Sequence, residues 1–317
     1  NYGHLQQILQ IWPYYFGRIN SSKRRTGGRM IYEIPKYSPG GDRYILAVFG
    51  DEMNLELNFI AQGMARALKT SNTKGVVESA PCFASLLVHY EPEEIGYDDL
   101  IREMTSIFGL LGPSDNLELR SRLFSIPVMY LDPWSAECVE DYRTKIADKL
   151  PDPELIVREN GLTDVNHLVR LHSSSEYWVA SLGFWPGLPF LMALDPRARL
   201  TAPKYNPPRT DTPQGAIGLG GGATSIYPVA TPGGYQIFGR TPIPIWDATQ
   251  KIPAFQGDLC LFRPGDRIKF IPVTREEFDY VEAEVKAGTY ETNIVEYQNF
   301  IVSDYNAWNH KLKGGAV

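Results

Sequence analysis

Cysteine is scarce: Cys82, Cys138 and Cys260 are the only three in 317 residues. Three thiols cannot build a disulfide framework, and they fit a reducing compartment, the cytoplasm. No CxxC pair occurs and the five histidines, at 4, 89, 167, 172 and 310, are scattered, so no metal site is expected. No apolar run approaches the ~20 residues that span a bilayer. The start, NYGHLQQILQIWPYYFGRINSSKRRTGG, has no basic region before its apolar stretch, so neither a membrane span nor a signal peptide is expected. Positive charge is short as well. With 31 Lys and Arg against 37 Asp and Glu, the net charge is -6, which argues against nucleic acid as a partner. The short run Lys23-Arg24-Arg25, beside Gly27-Gly28, reads as a solvated loop.

Several catalytic signatures are missing too. There is no Walker lysine and no GxSxG elbow. Gly218-x-Gly220-x-x-Ala223 matches the dinucleotide fingerprint as text. The TSIYPVATPGG that follows it cannot supply the helix N-terminus that receives a pyrophosphate, so the match is rejected. Gly220-Gly221-Gly222 either lets two backbones approach closely or offers N–H groups to an anion. No lysine neighbours a methionine, so no biotinylation site is present and no cofactor is bound covalently.

Glycine and proline, by contrast, crowd one stretch, Leu182 to Asp247. Its prolines, among them those at 186, 189, 203, 207, 208, 213, 228 and 232, exclude a helix there. The Ile, Val, Phe, Tyr and Trp kept between them exclude a disordered linker. What remains is compact β structure with constrained turns, and such turns often carry function.

A length of 317 residues favours two domains. Residues 1–35 read as an arm, with Leu5, Ile8, Leu9 and Trp12 at helical spacing, covered by the chain's own body or by a partner. From 36 to 160 the pattern is α+β. RYILAVFG is a strand, followed by a helix with Leu57, Ile60, Met64 and Leu68 on one face. GVVESAP and ASLLVHYEP are strands, then comes a helix with Leu100, Met104, Ile107 and Leu111, and RLFSIPVMY closes the set. That βαββαβ order is ferredoxin-like. Ser135 to Leu150 is a charged helix with Ser135 as N-cap, and Thr163 caps a second through Leu171. Over 161–275 short strands recur: EYWVASLGF, AIGLG, TSIYPV, YQIFGR, DLCLF and RIKFIPV. Their spacing predicts a closed or nearly closed β-barrel. Residues 276–317 form a helical, aromatic tail.

The polar groups that this rigid stretch could pre-organise are Lys204, Tyr205, Asn206, Arg209, Gln214, Tyr227, Gln236 and Arg240. Arg209 has the geometry to hold a carboxylate or phosphate bidentately. Alternatively, Arg209 and Arg240 pair with Asp195, Asp211 or Asp247 inside the domain. Trp185 is either barrel core or a platform for substrate, and His172 is expected to make a structural hydrogen bond.

The motifs LHSSSEYWVASLGFWPGLPFL, LDPRARL, PPR, QGAIGLGGGATSIYP and ATPGGYQIFGRTPIPIWD resemble the allophanate hydrolase subunit 1 family. That family includes the B subunit of 5-oxoprolinase and the kinase inhibitor KipI. GGDRYILAVFGD, PKYNPPRT and FIPVTREEFDYVEAEVKAGTYE are similar to the corresponding part of the urea carboxylase carboxyltransferase domain. At Gly183–Phe190 and Ala230 the chain is more similar to the oxoprolinase branch. The resemblance implies an α+β domain followed by a cyclophilin-like β-barrel. It also implies a subunit-2 partner, and possible association with biotin carboxylase and a biotin carrier protein. The activity implied is that of a carboxyltransferase-type subunit acting on an amide, urea-like or lactam substrate. The alternatives are a subunit of an ATP-dependent lactam hydrolase and a KipI-like regulatory binder. Biotin on a partner carrier, or ATP used by the holoenzyme, would be the cofactor. The expected catalytic residues are Arg209, Lys204 and Tyr227, with Asn206, Gln214, Gln236, Arg240 and Trp185 binding substrate.

Overall fold

Local signals place the first helix. Asn54 caps it by accepting from Leu57 N at 2.9 Å, and Asn72, in the left-handed region at φ 49°, ends it. The computed structural model describes residues 31–314 apart from 256; the apolar stretch at Leu5–Trp12 and the basic run at 23–25 lie outside them. Helix α1 (Leu55–Ser71) buries Leu57, Ile60, Met64 and Leu68, the four residues its spacing selects. Helix α2 (Tyr97–Leu111) buries Leu100 and Met104 and packs Ile107 and Leu111 at the margin of the same core.

Both helices cover a four-stranded antiparallel sheet of β1 (Ile31–Pro39), β2 (Tyr44–Gly50), β3 (Val76–Pro81) and β4 (Ser85–Tyr90), in the order β1-β2-β4-β3. Ile45, Ala47 and Phe49 alternate with half-exposed residues along β2, the period-2 pattern of a sheet with one covered face. Strand β1 departs from the expected pattern, because Pro35 and Pro39 disguise it and part of it falls in the stretch that reads as an arm. An edge strand tolerates them, since it lacks a second neighbour to receive N–H groups. Its presence changes the expected topology. RLFSIPVMY does not close this sheet but extends to β5 (Glu118–Tyr130) and joins the second one.

The second sheet also contains β6 (Glu176–Leu182), β7 (Pro189–Ala193), β8 (Ala216–Gly220), β9 (Ala223–Ile226), β10 (Gln236–Arg240), β11 (Arg267–Pro272) and β12 (Ile294–Ile301). Its order is β10-β8-β9-β7-β6-β11-β5-β12. Strand β10 also pairs with β5, Gly239 opposite Tyr130 and Arg240 opposite Met129, so seven strands return on themselves. Phe124, Ile126, Val128, Ile217, Phe238, Ile268 and Phe270 fill the space they enclose. Each such side chain contributes about 1.5–3 kcal/mol on leaving water. DLCLF is not a strand. Leu261 and Phe262 are both buried in succession, without the alternation of a sheet face, and Cys260 makes only an isolated bridge to Trp246.

Helix α3 (Pro133–Lys145) is capped by Asp132, which accepts from Ser135 N at 2.8 Å, so Ser135 lies inside the first turn rather than at the cap. Helix α4 (Asp152–Glu159) starts between Pro151 and Pro153. Helix α5 (Val165–Ser174) is capped by Asp164 rather than Thr163. Helix α6 (Arg275–Ala287) opens with a capping box of Thr274 and Glu277, and α7 (Val302–Gly314) follows β12 directly. The chain divides into two compact units. One takes the described residues through Arg120 and those from Asn299 on, and the other is Ser121–Gln298. No helix among the described residues is long and apolar enough to cross a membrane.

Candidate active site

Helix α4 begins with a carboxylate that has no exposure, Asp152. A helix N-terminus favours negative charge, but burial on this scale also demands partners. They are present. Asp152 Oδ1 accepts from Lys149 Nζ and from the Tyr205 hydroxyl, and Oδ2 accepts from Ile237 N on β10 at 2.6 Å. Lys149 Nζ also donates to Tyr205 Oη at 3.1 Å and to Gln236 Oε1 at 2.9 Å. Gln236 Nε2 donates in turn to Pro203 O at 2.6 Å. Burial lowers the pKa of Lys149, with Asp152 opposing that shift.

The same network holds the loop 203–210. Tyr205 N donates to Gly234 O at 2.7 Å, and Arg209 exchanges backbone hydrogen bonds with Gly233 at 2.9 and 3.1 Å. The Tyr142 ring stacks on Tyr205 at 4.5 Å, and the Tyr142 hydroxyl donates to Pro207 O at 2.7 Å. Desolvation raises the pKa of Tyr205, with Asp152 adding to it.

Arg209 is the outlier. It is 2% exposed, and its guanidinium carbon sits 4.3 Å from the Tyr205 ring centre. Nε donates to Thr212 Oγ1 at 3.3 Å. Nη1 stands 3.7 Å from Asp152 Oδ2, beyond hydrogen-bond distance, and neither Nη has a hydrogen-bond partner among the described residues. The Tyr227 hydroxyl lies beside the guanidinium, close enough to feel its charge. Burial raises the Tyr227 pKa and Arg209 pulls against it. Gly233 makes this closeness possible, since a Cβ there would stand 2.4 Å from Tyr227 Oη and 2.7 Å from Thr212 Oγ1.

A cavity of about 480 Å³ borders Arg209, and Glu137, Cys138, Asp141, Asp211 and Arg240 also line it. Trp134 and Tyr142 give it an aromatic wall. Arg240 lies over Trp134 at 4.6 Å and donates from Nε to Gln214 O at 2.9 Å. Burial pushes the Cys138 thiol up to about 11, and Sγ donates to Asp211 O at 3.3 Å. Near neutral pH it is a thiol, not a nucleophilic thiolate. Among the described residues no cluster of three metal-ligating side chains occurs.

Of the residues expected from the sequence, Arg209, Tyr227 and Gln236 come together in the buried network, and Arg240 lines the cavity. Gln214 is exposed and contributes its backbone oxygen. Lys204 and Asn206 are exposed on the loop, with Lys204 Nζ 5.5 Å from the Tyr235 ring centre. Trp185 is 39% exposed in the turn after β6 and does not line the cavity. Neither arginine forms the pairs offered as the alternative. Asp195 binds Arg197, Asp247 accepts from Thr249 and from Lys251 N, and Asp211 offers its carbonyl to Cys138. Tyr205, named with the polar groups of KYNPPRT, is also in the network; the members that sequence reasoning misses are Asp152, Lys149, Tyr142 and Cys138. For Asp152 a signal exists, an acid between two prolines where a helix starts. His172 is a core residue, hydrogen-bonded to Tyr130 Oη at 2.7 Å and Thr224 Oγ1 at 3.3 Å. Tyr235 fills the space over the glycine run, since a Cβ on Gly220 would lie 2.3 Å from its ring, so close packing rather than an anion explains Gly220.

Comparison with known proteins adds an independent line. The family described as carboxyltransferase domain, subdomain C and D, matches residues 35–256. Urea amidolyase of Saccharomyces cerevisiae is 31% identical over 283 residues, which is 86% of this chain and 15% of that protein. The 5-oxoprolinase B subunit of Bacillus subtilis is 30% identical over 247 residues, 75% of this chain and 92% of that protein. The crystal structure of Kluyveromyces lactis urea carboxylase superposes with a TM-score of 0.78 at 27% identity, over 92% of this chain and 27% of that one. The chain therefore spans a small part of the amidolyases and nearly all of the Bacillus subtilis protein.

Proposed function

Because the chain belongs to the family of carboxyltransferase domains, subdomains C and D, we propose that it is one component of a carboxyltransferase-type enzyme acting on an amide, urea-like or lactam substrate. Arg209 carries the reading. Among the described residues neither Nη has a hydrogen-bond partner, Nη1 having only the distant charge of Asp152, and buried donors left so are costly unless something takes them. A carbonyl or carboxylate oxygen of a substrate, or charge developing on one in the transition state, is the partner that its planar fork fits. Tyr227 stands beside it, Arg240 offers a second cation across the cavity, and Gln236 supports from behind. Lys204, Asn206 and Trp185 take no part in this anchoring.

In this reading the two units are a ferredoxin-like variant and a cyclophilin-like barrel, and a second, subunit-2-like chain completes the enzyme. Biotin, in this reading, is carried outside these 317 residues, in which no lysine neighbours a methionine, and the chemistry takes place in the cytoplasm. The similarity to nearly all of a 5-oxoprolinase B subunit favours a second reading, a component of an ATP-dependent lactam hydrolase.

Labelled carboxylate separates them. With the partner subunit and a carboxylated carrier, the first reading expects label to pass to an amide substrate without ATP. In the second, no label moves and turnover consumes ATP without a biotin protein. In either assay Arg209→Lys should lower kcat/KM by roughly 2–5 kcal/mol, because charge is kept and the fork is lost. Unchanged activity, or a loss explained wholly by a lower melting temperature, would return Arg209 to a structural role.

A further inference from the structure

One carboxylate faces two cations at the buried end of α4, and the two are not treated alike. Asp152 Oδ1 is occupied by Lys149 Nζ and the Tyr205 hydroxyl, and Oδ2 by Ile237 N at 2.6 Å. Arg209 Nη1 is left at 3.7 Å, close enough to be attracted and too far to be bound. At 2% exposure it is nearly closed off from solvent, on the wall of the cavity. An arginine beside a free carboxylate normally closes into a bidentate pair. Here the competing donors hold the carboxylate away.

We propose that Lys149 and Asp152 are positioning residues which keep the Arg209 guanidinium oriented but not hydrogen-bonded to the carboxylate, so that its two Nη groups stay available to substrate entering the cavity that Arg209 lines. Asp152 supplies direction twice, by its charge and by pinning the hydroxyl of Tyr205, over whose ring the guanidinium lies at 4.3 Å. Lys149 supplies the restraint. It neutralises the carboxylate and is itself held by Gln236 Oε1 at 2.9 Å. This rests on the reading of Arg209 as the substrate anchor.

The deciding variant is Lys149→Met, which keeps the stem and removes the cation. Asp152 is then free to capture Arg209. A crystal structure of the variant should show the Arg209–Asp152 separation fall below about 3.2 Å, the limit of a hydrogen bond. In the label-transfer assay KM should rise about tenfold while the melting temperature holds or rises, the mark of lost substrate binding without lost fold. Tyr205→Phe, which removes only the pinned hydroxyl, should lower kcat/KM by a smaller factor and leave the melting temperature within a few degrees.

A separation that stays near 3.7 Å in Lys149→Met, or a KM that holds while the melting temperature falls, overturns the proposal. Should Lys149→Met not fold, Tyr205→Phe decides, and unchanged kinetics there overturn it as well. If the wild-type chain transfers no label, the substrate reading fails instead, and the variant's Arg209–Asp152 distance still judges the positioning.

Discussion

His172 shows how one buried residue sets a response of the whole chain. It has no exposure, its ring lies 4.8 Å from that of Phe270, and burial lowers its pKa to about 3. The unfolded chain takes up a proton at this histidine as pH falls through its ordinary value of 6.5, and the folded chain does not. Stability contributed by the neutral ring is therefore complete above pH 6.5 and is lost on acidification, at about 1.4 kcal/mol per pH unit. Asp195, whose carboxyl is held below the ordinary range by its hydrogen bond from Arg197, acts at lower pH. Asp132, raised by burial, acts in the opposite direction. Comparing wild type with His172→Gln cancels both. Urea denaturation between about pH 4.5 and 6.5 should give a visibly flatter stability profile for the variant, and parallel profiles would show that His172 is not the source. A structural hydrogen bond at His172 is expected from the sequence but its partners are not, because Tyr130 and Thr224 come from strands 42 residues before and 52 residues after it.

Among the elements, the β8–β9 hairpin shows which local signals are legible. The glycines there do not mark a phosphate loop. Gly221, at φ +60°, turns the hairpin, and Gly218 and Gly220 leave room for Tyr235 from the strand approach beside them. Gly220→Ala would set a methyl 2.3 Å from that ring, and thermal or urea unfolding should register a loss of about 1–3 kcal/mol. An unchanged midpoint would mean that the ring moves aside freely. Helices α1 and α2 can be read directly from their apolar spacing and the Asn72 and Gly112 that end them, and Asn54 adds a side-chain cap to α1. Strand β1 cannot, because its prolines imitate a loop. DLCLF imitates a strand, because a coil that buries Leu261 and Phe262 carries the same apolar residues as a strand. The site divides in the same way. Arg209 stands out in a proline-fixed loop, whereas Asp152 and Lys149 become a site only when α4 is brought against β10.

At the scale of the molecule, the first unit is built from two distant pieces of sequence. Val302 and Tyr305 of α7 are buried, and the Tyr305 ring meets Phe59 of α1 edge-on at 5.6 Å. Deleting residues 302–314 should therefore cost the first unit roughly 3–6 kcal/mol, two buried side chains' worth. Limited proteolysis should find new cleavage within 55–111, and an unaltered digest would show that α7 is dispensable. The same arrangement sets an order of events during synthesis. Tyr305 leaves the ribosome 246 residues after Phe59. At about 5–20 residues per second that interval is roughly 10–50 s. Throughout it the nascent chain carries Phe59 of α1 while the α7 residues that cover it are still untranslated.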